Sequence, residues 1–418
     1  MGRVTAEKLS PEIRQYLIVT GNYWAFTLTD GALRMLVVLH FHMLGYSPFE
    51  VAMLFLFYEF FGVITNLFGG WLGARIGLNR TMSIGLFMQI VALAMLAVPS
   101  AMLVVPWVMF AQALSGIAKD LNKMSAKSSI KGLVSAGAEG KLYKWVALLT
   151  GSKNALKGVG FFLGGFLLAT IGFKGAVIAM AAALSLVWVF CLLSLKQDLG
   201  KAKNKPKFSE IFSKSSSVNR LSAARLFLFG ARDVWFVVAL PIFLGDALGW
   251  STSEVGAFMA LWVIGYGFVQ ANAPRITGRG TYKTKSNKTP DGKSATLWAA
   301  LLASIPAAIA LGLMYLDNSQ ITLVIVIGLM VFGAIFAINS SLHSYLIVIY
   351  AKEDGASMDV GFYYMANAMG RLIGTVLSGY VYQVAGLEAC LWISASFVAL
   401  AAMLSVSLPR HIQSHQDS

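Results

Sequence analysis

Long apolar stretches separated by short polar ones run along almost the whole chain. A helix needs about 20 apolar residues to cross the hydrocarbon core of a bilayer. Twelve stretches reach that length: 16–44, 49–72, 81–99, 103–123, 143–170, 174–195, 222–245, 253–273, 294–315, 321–350, 360–384 and 387–408. The pattern therefore predicts an all-α membrane protein with twelve transmembrane helices.

The composition agrees with this class, because 57% of the 418 residues are hydrophobic and only 12% are charged. A soluble domain this apolar would lack polar side chains to cover its surface. Residues 1–15 are polar, and the apolar run after them has no cleavage site, so we expect no cleavable signal peptide. Two isolated cysteines exclude a disulfide framework and a multi-thiolate cluster, and we expect neither a metal nor a cofactor.

The net charge of +14 is concentrated on one side of the predicted bundle. Lysine and arginine crowd the alternate connections at 73–80, 124–142, 196–221 and 274–293, whereas the opposite connections hold little beyond Lys174. Cytoplasmic loops of membrane proteins carry such an excess of basic residues. We therefore predict a multi-pass protein of a bacterial-type inner (plasma) membrane, with both termini cytoplasmic, in contact with the lipid bilayer and with no nucleic acid partner.

The basic segment 196–221 divides the chain near its middle, and the two sides are related. The letters GYSPFEV at 45–51 correspond to GWSTSEV at 249–255, and the same offset relates Arg75 to Arg279. Internal repeats with a substrate site between them are typical of secondary transporters. The repeat predicts an N-terminal six-helix bundle over 1–195, a cytoplasmic linker over 196–221 and a C-terminal six-helix bundle over 222–418, the two bundles being pseudo-symmetric.

Basic residues outnumber acidic ones inside the predicted spans. A charge at bilayer depth is costly and usually marks a substrate or ion pathway. The basic residues are Arg34, Lys119, Lys153, Lys157, Arg232 and Arg371, with Lys123 one turn beyond Lys119. The acids are Asp30, Glu59, Asp120 and Asp233. The surplus predicts that the missing partner is a small anion that carries more than one charge.

The lysines recur at intervals of four residues, which places them on one helix face. Lys153 and Lys157 form one such pair, and Lys119, Lys123 and Lys127 repeat the spacing in the fourth span. Like charges repel in this arrangement, so a bound anion would stabilise it. The alternative is that these side chains extend to the cytoplasmic interface, which is the favoured interpretation for Lys127.

Further candidate ligands lie in the tenth and eleventh spans. Arg371 follows Tyr364 and Asn367, and its guanidinium is suited to bind two oxygens of a phosphate or carboxylate. Otherwise, Arg371 pairs with Glu59 or Asp30. Asn339 and His343 belong to a polar patch that either contacts the substrate or bonds neighbouring helices.

The acids Asp30, Glu59 and Asp233 are candidates for proton coupling. Asp30 and Arg34 are four residues apart, so they form either an internal ion pair or a pair that separates during transport. Arg232 and Asp233 are adjacent and should point in different directions, so each is expected to need another partner. Glu59 is alone in its span and either carries a proton or partners a cavity arginine.

Two short motifs resemble those of the major facilitator superfamily. The letters GWLGARIGLNR at 70–80 are similar to its signature Gly-x-x-x-Asp-Arg/Lys-x-Gly-Arg, with Gly70, Arg75 and Gly77 matching and Ala74 replacing the acid. The letters GFFLGG at 160–165 resemble its antiporter signature with a proline replaced. The resemblance implies the major facilitator fold, and it implies a conformational role for this loop and for Arg279 in the second half.

A closer resemblance is to the ArsJ-type organoarsenical efflux permeases. It is carried by GNYWAFTLTDGALR at 21–34, SGIAKDLNKMSAK at 115–127, TGSKNALKG at 150–158 and LFLFGARDVW at 226–235. The resemblance implies export of 1-arseno-3-phosphoglycerate, the arsenate ester made when a glyceraldehyde-3-phosphate dehydrogenase uses arsenate, and hence arsenate resistance with a functional link to that dehydrogenase. Nothing in the composition or spacing of the chain indicates arsenic.

The function expected from these observations is proton-coupled export of a phosphorylated, multiply anionic three-carbon metabolite by a secondary active transporter. One alternative is an organophosphate:phosphate or other organic-anion exchanger of the same fold. Another is a membrane sensor that does not transport. The chain has no nucleotide-binding loop, nucleophile elbow or metal signature, so we do not expect an enzyme.

Overall fold

The computed structural model describes residues 11–45, 54–133, 139–195, 207, 211–212, 215–237, 239–250, 252–278, 289–316 and 318–410. Within these ranges the chain forms eleven α-helices and no β-strand. The helices are α1 (Pro11–Met43), α2 (Leu56–Ile76), α3 (Leu78–Leu96), α4 (Val105–Leu133), α5 (Glu139–Ser194), α6 (Ser216–Phe236), α7 (Ala239–Asp246), α8 (Thr252–Ile276), α9 (Gly292–Tyr315), α10 (Asn318–Tyr350) and α11 (Ala356–Val406).

The twelve predicted spans correspond to these eleven helices with three adjustments. Helices α5 and α11 each cover two predicted spans and bend at a glycine, Gly172 (φ 70°, ψ 176°) and Gly386 (φ 76°, ψ −175°). Only glycine adopts such angles without strain, which explains how two apolar spans join without a loop. The predicted seventh span is divided between α6 and α7.

Five helices are long and apolar enough by themselves to cross a membrane: Leu78–Leu96, Gly140–Ser194, Gly292–Tyr315, Gln320–Tyr350 and Ala356–Val406. The second and fifth have 55 and 51 residues, about twice the length that one crossing requires. Helices α1, α2, α4 and α6 are not among the five. Each of those four carries charged residues of the site described below.

The helices pack into an N-terminal half, α1–α5, and a C-terminal half, α6–α11. In the first half α1 packs against α5, and in the second half α6 packs against α11 in the corresponding way. Each half has its own apolar core, the first around Phe26, Leu36 and Phe173 and the second around Trp235, Trp262 and Phe336. Two crossings, α2 on α11 and α5 on α8, join the halves.

A third apolar core joins the halves at the side where the basic connections lie, which we call the basic side. It includes Tyr143 of α5 and Tyr345 of α10, whose ring centroids are 5.1 Å apart. Lys131 of α4 donates a hydrogen bond to the carbonyl oxygen of Ala351. These contacts close the seam between the halves on the basic side.

The loop at 70–80, which resembles the superfamily signature, lies at the same closed seam. The hydroxyl of Ser357 donates to the carbonyl oxygen of Gly70 at 2.7 Å, and a Cβ at Gly70 would lie 2.5 Å from the Ser357 carbonyl oxygen. Gly77 has a φ of 98°, which permits the sharp turn from α2 to α3. Arg75 is exposed beside the ring of Trp71. Its predicted counterpart Arg279 lies outside the described residues.

The predicted repeat has a partial structural counterpart. Gly45 and Gly249, which correspond in the two repeats, both have positive φ, at 91° and 69°. The residues after Gly45 in the first repeat, and much of the proposed linker 196–221, lie outside the described residues. The domain boundaries therefore stay a prediction.

Candidate functional site

Glu59 of α2 lies at the centre of a charged cluster between the two halves. Its Oε1 atom accepts hydrogen bonds from Arg34 of α1 and Arg371 of α11, both at 3.1 Å, and its Oε2 atom is 4.0 Å from Lys119 Nζ. Arg371 also donates from Nε to Asp233 of α6 at 3.1 Å. Glu59, which is the one charged residue at the centre of its predicted span, therefore partners two arginines, one from each half.

Close packing of α2 on α4 places the acid Asp120 in this cluster. Gly116 of α4 lies directly against the backbone of Tyr58, and a Cβ on Gly62 would lie 2.7 Å from Asp120 Oδ2. The lysines on either side of Asp120 bind it, Lys119 at 3.7 Å and Lys123 at 2.5 Å. Asp120 is 2% exposed, so its negative charge is enclosed by its own lysine neighbours.

Asp233 anchors the cluster on the C-terminal half. Its side chain is fully buried and binds Arg232 at 2.5 Å as well as Arg371. The prediction that Arg232 and Asp233 would each need another partner is wrong for Arg232. The long arginine side chain folds back to the adjacent carboxylate, although the two Cβ atoms leave the helix in different directions.

Asp30 has a different environment from that of the other acids. It is buried and accepts a 2.7 Å hydrogen bond from the hydroxyl of Tyr58. The part of the chain that the structure describes shows no ion pair between Asp30 and Arg34. The Arg34 guanidinium instead lies over the ring of Tyr58, 4.8 Å from its centroid, and binds Glu59.

Lys153 and Lys157 of α5 add positive charge that no acid neutralises at close range. Neither forms an ion pair among the described residues. The charges acting on Lys153 include Lys123, Arg371 and Asp30, and those acting on Lys157 include Arg34 and Asp30. Both lysines are only partly exposed, and the charged groups that act on them are members of the cluster between the halves.

We call this set of residues the central cluster. Its basic members are Arg34, Lys119, Lys123, Lys153, Lys157, Arg232 and Arg371. Its acidic members are Asp30, Glu59, Asp120 and Asp233. Glu59 and Arg371 are 26% and 27% exposed, so solvent reaches the cluster. The basic surplus predicted from the sequence is thus assembled at one place.

The other predicted ligands fall into two groups: Tyr364 lies beside the central cluster, and Asn367, Asn339 and His343 contact other parts of the C-terminal half or are buried there. The ring of Tyr364 lies 4.6 Å from Lys123 Nζ, and Asn367 accepts a hydrogen bond from Arg225 at 2.8 Å. Asn339 instead donates to the carbonyl oxygen of Trp298 on α9 at 2.9 Å, a contact between neighbouring helices. His343, one turn farther along α10, is fully buried.

Sequence reasoning missed Arg225, which is 3% exposed on α6. It lies seven residues before Arg232, about two helical turns on the same face, and this spacing is the signal that could have identified it. Lys127, which the sequence favoured as an interfacial anchor, is also 3% exposed. Both side chains are therefore covered by protein and do not extend to the surface as interfacial anchors would.

In the part of the chain that the structure describes, no group of three or more histidine, cysteine, aspartate and glutamate side chains is placed to hold a metal ion. Cys191 and Cys390 are buried in the parts of α5 and α11 that follow the bends at Gly172 and Gly386, which we call the outer arms of these helices. They belong to the apolar cores of separate halves.

Two pseudo-symmetric helical halves with a charged cluster between them define the architecture of a secondary transporter. Residues 16–358 match the family model of the Major Facilitator Superfamily, so the chain belongs to that superfamily. It is accordingly a multi-pass membrane protein of a family of transporters. No curated protein sequence matches the chain.

Solved structures of the same fold cover nearly the whole chain. The human organic anion transporter MFSD10 (TETRAN) is 17% identical with a TM-score of 0.72, over 95% of this chain and 100% of the other. The E. coli fucose:proton symporter FucP is 12% identical with a TM-score of 0.73, over 94% and 98%. A bacterial homologue of the iron transporter ferroportin, in an outward-facing state, is 14% identical with a TM-score of 0.72, over 93% and 98%. At these identities the likeness concerns the fold alone.

Proposed function

We propose that this transporter exports a small, multiply anionic arsenate ester, 1-arseno-3-phosphoglycerate, from the bacterial cytoplasm, and thereby confers arsenate resistance. The observation that supports the proposal most is the central cluster, in which seven basic side chains surround four acids. The identity of the ester comes from the resemblance to ArsJ-type permeases.

The charge balance favours an oxyanion with several oxygens. Lys153 and Lys157 form no ion pair among the described residues, and the guanidinium groups of Arg34 and Arg371 both donate to Oε1 of Glu59. Each charge-assisted hydrogen bond to a phosphate, arsenate or carboxylate oxygen contributes about 1.5–3 kcal/mol. The thiols lie in the outer arms of α5 and α11, so we expect the arsenic to be recognised through its oxygens and not through sulfur.

Coupling to protons is proposed through the acids that hold the arginines. While they are ionised, Glu59 and Asp233 hold the Arg371 guanidinium in place. Protonation of either carboxyl group from the outside would release Arg371 and favour the empty state, and the proton would be lost to the cytoplasm when the next anion binds. One proton would then enter as one anion leaves, because the proton and the anion favour different states of the same cluster.

Accumulation in everted membrane vesicles tests the proposal. Purified glyceraldehyde-3-phosphate dehydrogenase, glyceraldehyde 3-phosphate, NAD and radiolabelled arsenate generate the ester outside the vesicles. We expect label to accumulate inside only when all components and an inward-acid pH gradient are present. Arg371→Ala should abolish the accumulation. Lys174→Ala is the control and should not reduce it, because Lys174 is an exposed lysine on α5 outside the central cluster. Arsenate alone controls for carriers of the inorganic ion.

The same experiment separates the alternatives. Replacing arsenate by phosphate produces the corresponding bisphosphate, which the cluster could bind equally well because the two oxyanions have the same shape and charge. Accumulation driven by internal phosphate, with no dependence on the pH gradient, would favour the organophosphate:phosphate exchanger. Absence of any accumulation by a folded protein would favour a sensor that does not transport.

A further inference from the structure

Lys127 and Arg225 form a second basic site, separate from the central cluster and nearer the basic side. Lys127 lies eight residues after Lys119 on α4, and Arg225 lies seven residues before Arg232 on α6. At 1.5 Å per residue, each is about 10–12 Å from the corresponding member of the central cluster along its helix. The two residues come from opposite halves.

The surroundings of both cations contain neutral oxygens and aromatic rings. Lys127 Nζ donates to the hydroxyl of Ser344 at 3.3 Å and lies 5.2 Å from the centroid of the Tyr364 ring. Arg225 donates to Asn367 Oδ1 at 2.8 Å and to the carbonyl oxygen of Ser340 at 3.4 Å. Its guanidinium lies 3.8 Å from the centroid of the Phe229 ring.

No acid balances these two charges among the described residues. The charged groups that act on Lys127 are Arg225, Lys153 and Lys123, all of them basic. Both side chains are 3% exposed, and neither forms an ion pair in the described ranges. A buried charge without a counter-charge is strongly destabilising unless an oppositely charged group binds there. Anchoring at the membrane interface does not explain the two charges either, because both side chains are covered by protein.

We propose that Lys127 and Arg225 bind a tetrahedral oxyanion, a phosphate group, when the halves separate on the basic side. In the closed arrangement Ser344 and the ring of Tyr364 lie against Lys127 and cover the site. When the halves part, Lys127 leaves Ser344, whereas Arg225 keeps Asn367 and Ser340, which belong to its own half. An incoming phosphate group then meets a fixed guanidinium on one side and a freed ammonium on the other. This inner site rests on the proposed function, since it would receive the phosphate end of the exported ester.

Binding to the purified full-length protein in detergent tests the inner site. The probes are inorganic phosphate and 3-phosphoglycerate, titrated calorimetrically into the wild type, Lys127→Gln, Arg225→Gln and Lys127→Arg. We expect the two glutamine variants to bind both probes at least about tenfold more weakly, as the loss of a charge-assisted hydrogen bond requires. Lys127→Arg keeps the charge and should bind within about threefold of the wild type.

Lys144→Gln is the matched control, because Lys144 is an exposed lysine near the end of α5 on the basic side and belongs neither to the inner site nor to the contacts that close the seam. Its removal should leave the affinity for both probes unchanged if the inner site, and not the general positive charge, binds them. If Arg225→Gln does not fold, the result for Lys127→Gln is decisive, because among the described residues Lys127 has one hydrogen bond to lose.

The outcomes separate the inner site from the proposed function. Unchanged binding in folded Lys127→Gln and Arg225→Gln would overturn the inner site, even if the wild type accumulates the arsenate ester in vesicles. Weakened phosphate binding in these variants, with no ester accumulation by the wild type, would support the site and overturn the proposed function. If only inorganic phosphate depends on the two residues, the site holds a counter-anion and not the ester. A wild type that binds neither probe overturns the inner site.

Discussion

The two halves of the transporter contribute positive charge in different forms. The N-terminal half supplies mainly lysines, from α4 and α5, together with Arg34 and the three acids Asp30, Glu59 and Asp120. The C-terminal half supplies the arginines, from α6 and α11, with Asp233 as their acid. Lysine is a mobile point charge on a flexible stem, whereas arginine is a planar fork with a fixed set of donors.

This difference indicates a division of work between the halves. Arg232 and Arg371 are held in place by the fully buried Asp233, so we expect the C-terminal half to present a rigid surface to the proposed anion. Lys153 and Lys157 have no such anchor among the described residues, so we expect their side chains to adjust to it. Glu59 links the two surfaces, since it belongs to the N-terminal half and binds Arg371 of the other. The predictions below test this difference, beginning with the link.

The largest effect is expected for Glu59→Gln. The amide can neither take up nor release a proton, although it keeps a side-chain oxygen beside Arg34 and Arg371. Uphill accumulation in everted vesicles should be lost, whereas exchange of labelled for unlabelled substrate should persist. Asp30→Asn should behave in the same way if both acids take part.

Glu388→Gln is the control for Glu59→Gln, because Glu388 lies on the outer arm of α11 beside Trp392. It should retain uphill accumulation. If Glu59→Gln, Asp30→Asn and Asp233→Asn all keep accumulation driven by the pH gradient, these carboxyl groups do not couple transport to protons, and the exchanger becomes the better proposal.

Arg371→Ala should show the next largest effect. It removes the donors to Glu59 and Asp233 and a proposed ligand of the substrate. The loss of one charge-assisted contact of about 1.5–3 kcal/mol corresponds to a ten- to hundredfold lower affinity. Calorimetry with 3-phosphoglycerate measures this loss, and size-exclusion chromatography shows whether the variant is folded.

Arg371→Lys sharpens the comparison of the halves. An ammonium group cannot place separate donors on Glu59 and Asp233 in the geometry of the guanidinium, so we expect little recovery of affinity. Wild-type affinity in Arg371→Lys would contradict the view that the C-terminal half needs the planar guanidinium group of arginine to bind the anion.

Lys153→Ala and Lys157→Ala should weaken binding of 3-phosphoglycerate about tenfold each, without loss of thermal stability. They remove positive charge that has no acid partner among the described residues, and they relieve repulsion between residues four apart. Lys153→Arg should retain most of the affinity, in contrast to Arg371→Lys. Unchanged affinity in both alanine variants would place the anion elsewhere.

Tyr58→Phe should have the smallest effect. It removes the 2.7 Å hydrogen bond to Asp30 and keeps the ring over which Arg34 and Lys119 lie. A net cost of about 1 kcal/mol predicts a modestly lower thermal midpoint and a few-fold change in affinity. Tyr380→Phe is the control, since Tyr380 is exposed on α11. A loss as large as that of Arg371→Ala would show that Asp30 requires this bond to hold its position.

The sequence by itself determined the class of protein and indicated which charged residues to expect inside the bundle, because apolar length and the charges within an apolar stretch are local properties. The apolar stretches predicted most helix ends to within several residues, although α4 ends at Leu133 and not at 123. The charged residues within the spans included every member of the central cluster. The predicted spans were divided at 171–173 and 385–386, but the sequence did not show that each pair of spans joins through a bend at a single glycine, Gly172 or Gly386, and without a loop.

Only the tertiary structure decided which charges meet. Arg34 could bind Asp30 or Glu59, and the packing of α1 and α2 against α4 brings it to Glu59. Arg225 and Lys127 resemble interfacial anchors until the closed seam buries them between the halves. The pairing of long side chains depends on the distances between helices far apart in the chain. Those distances are set by the packing of small residues such as Gly62 and Gly116, whose contacts no local pattern specifies.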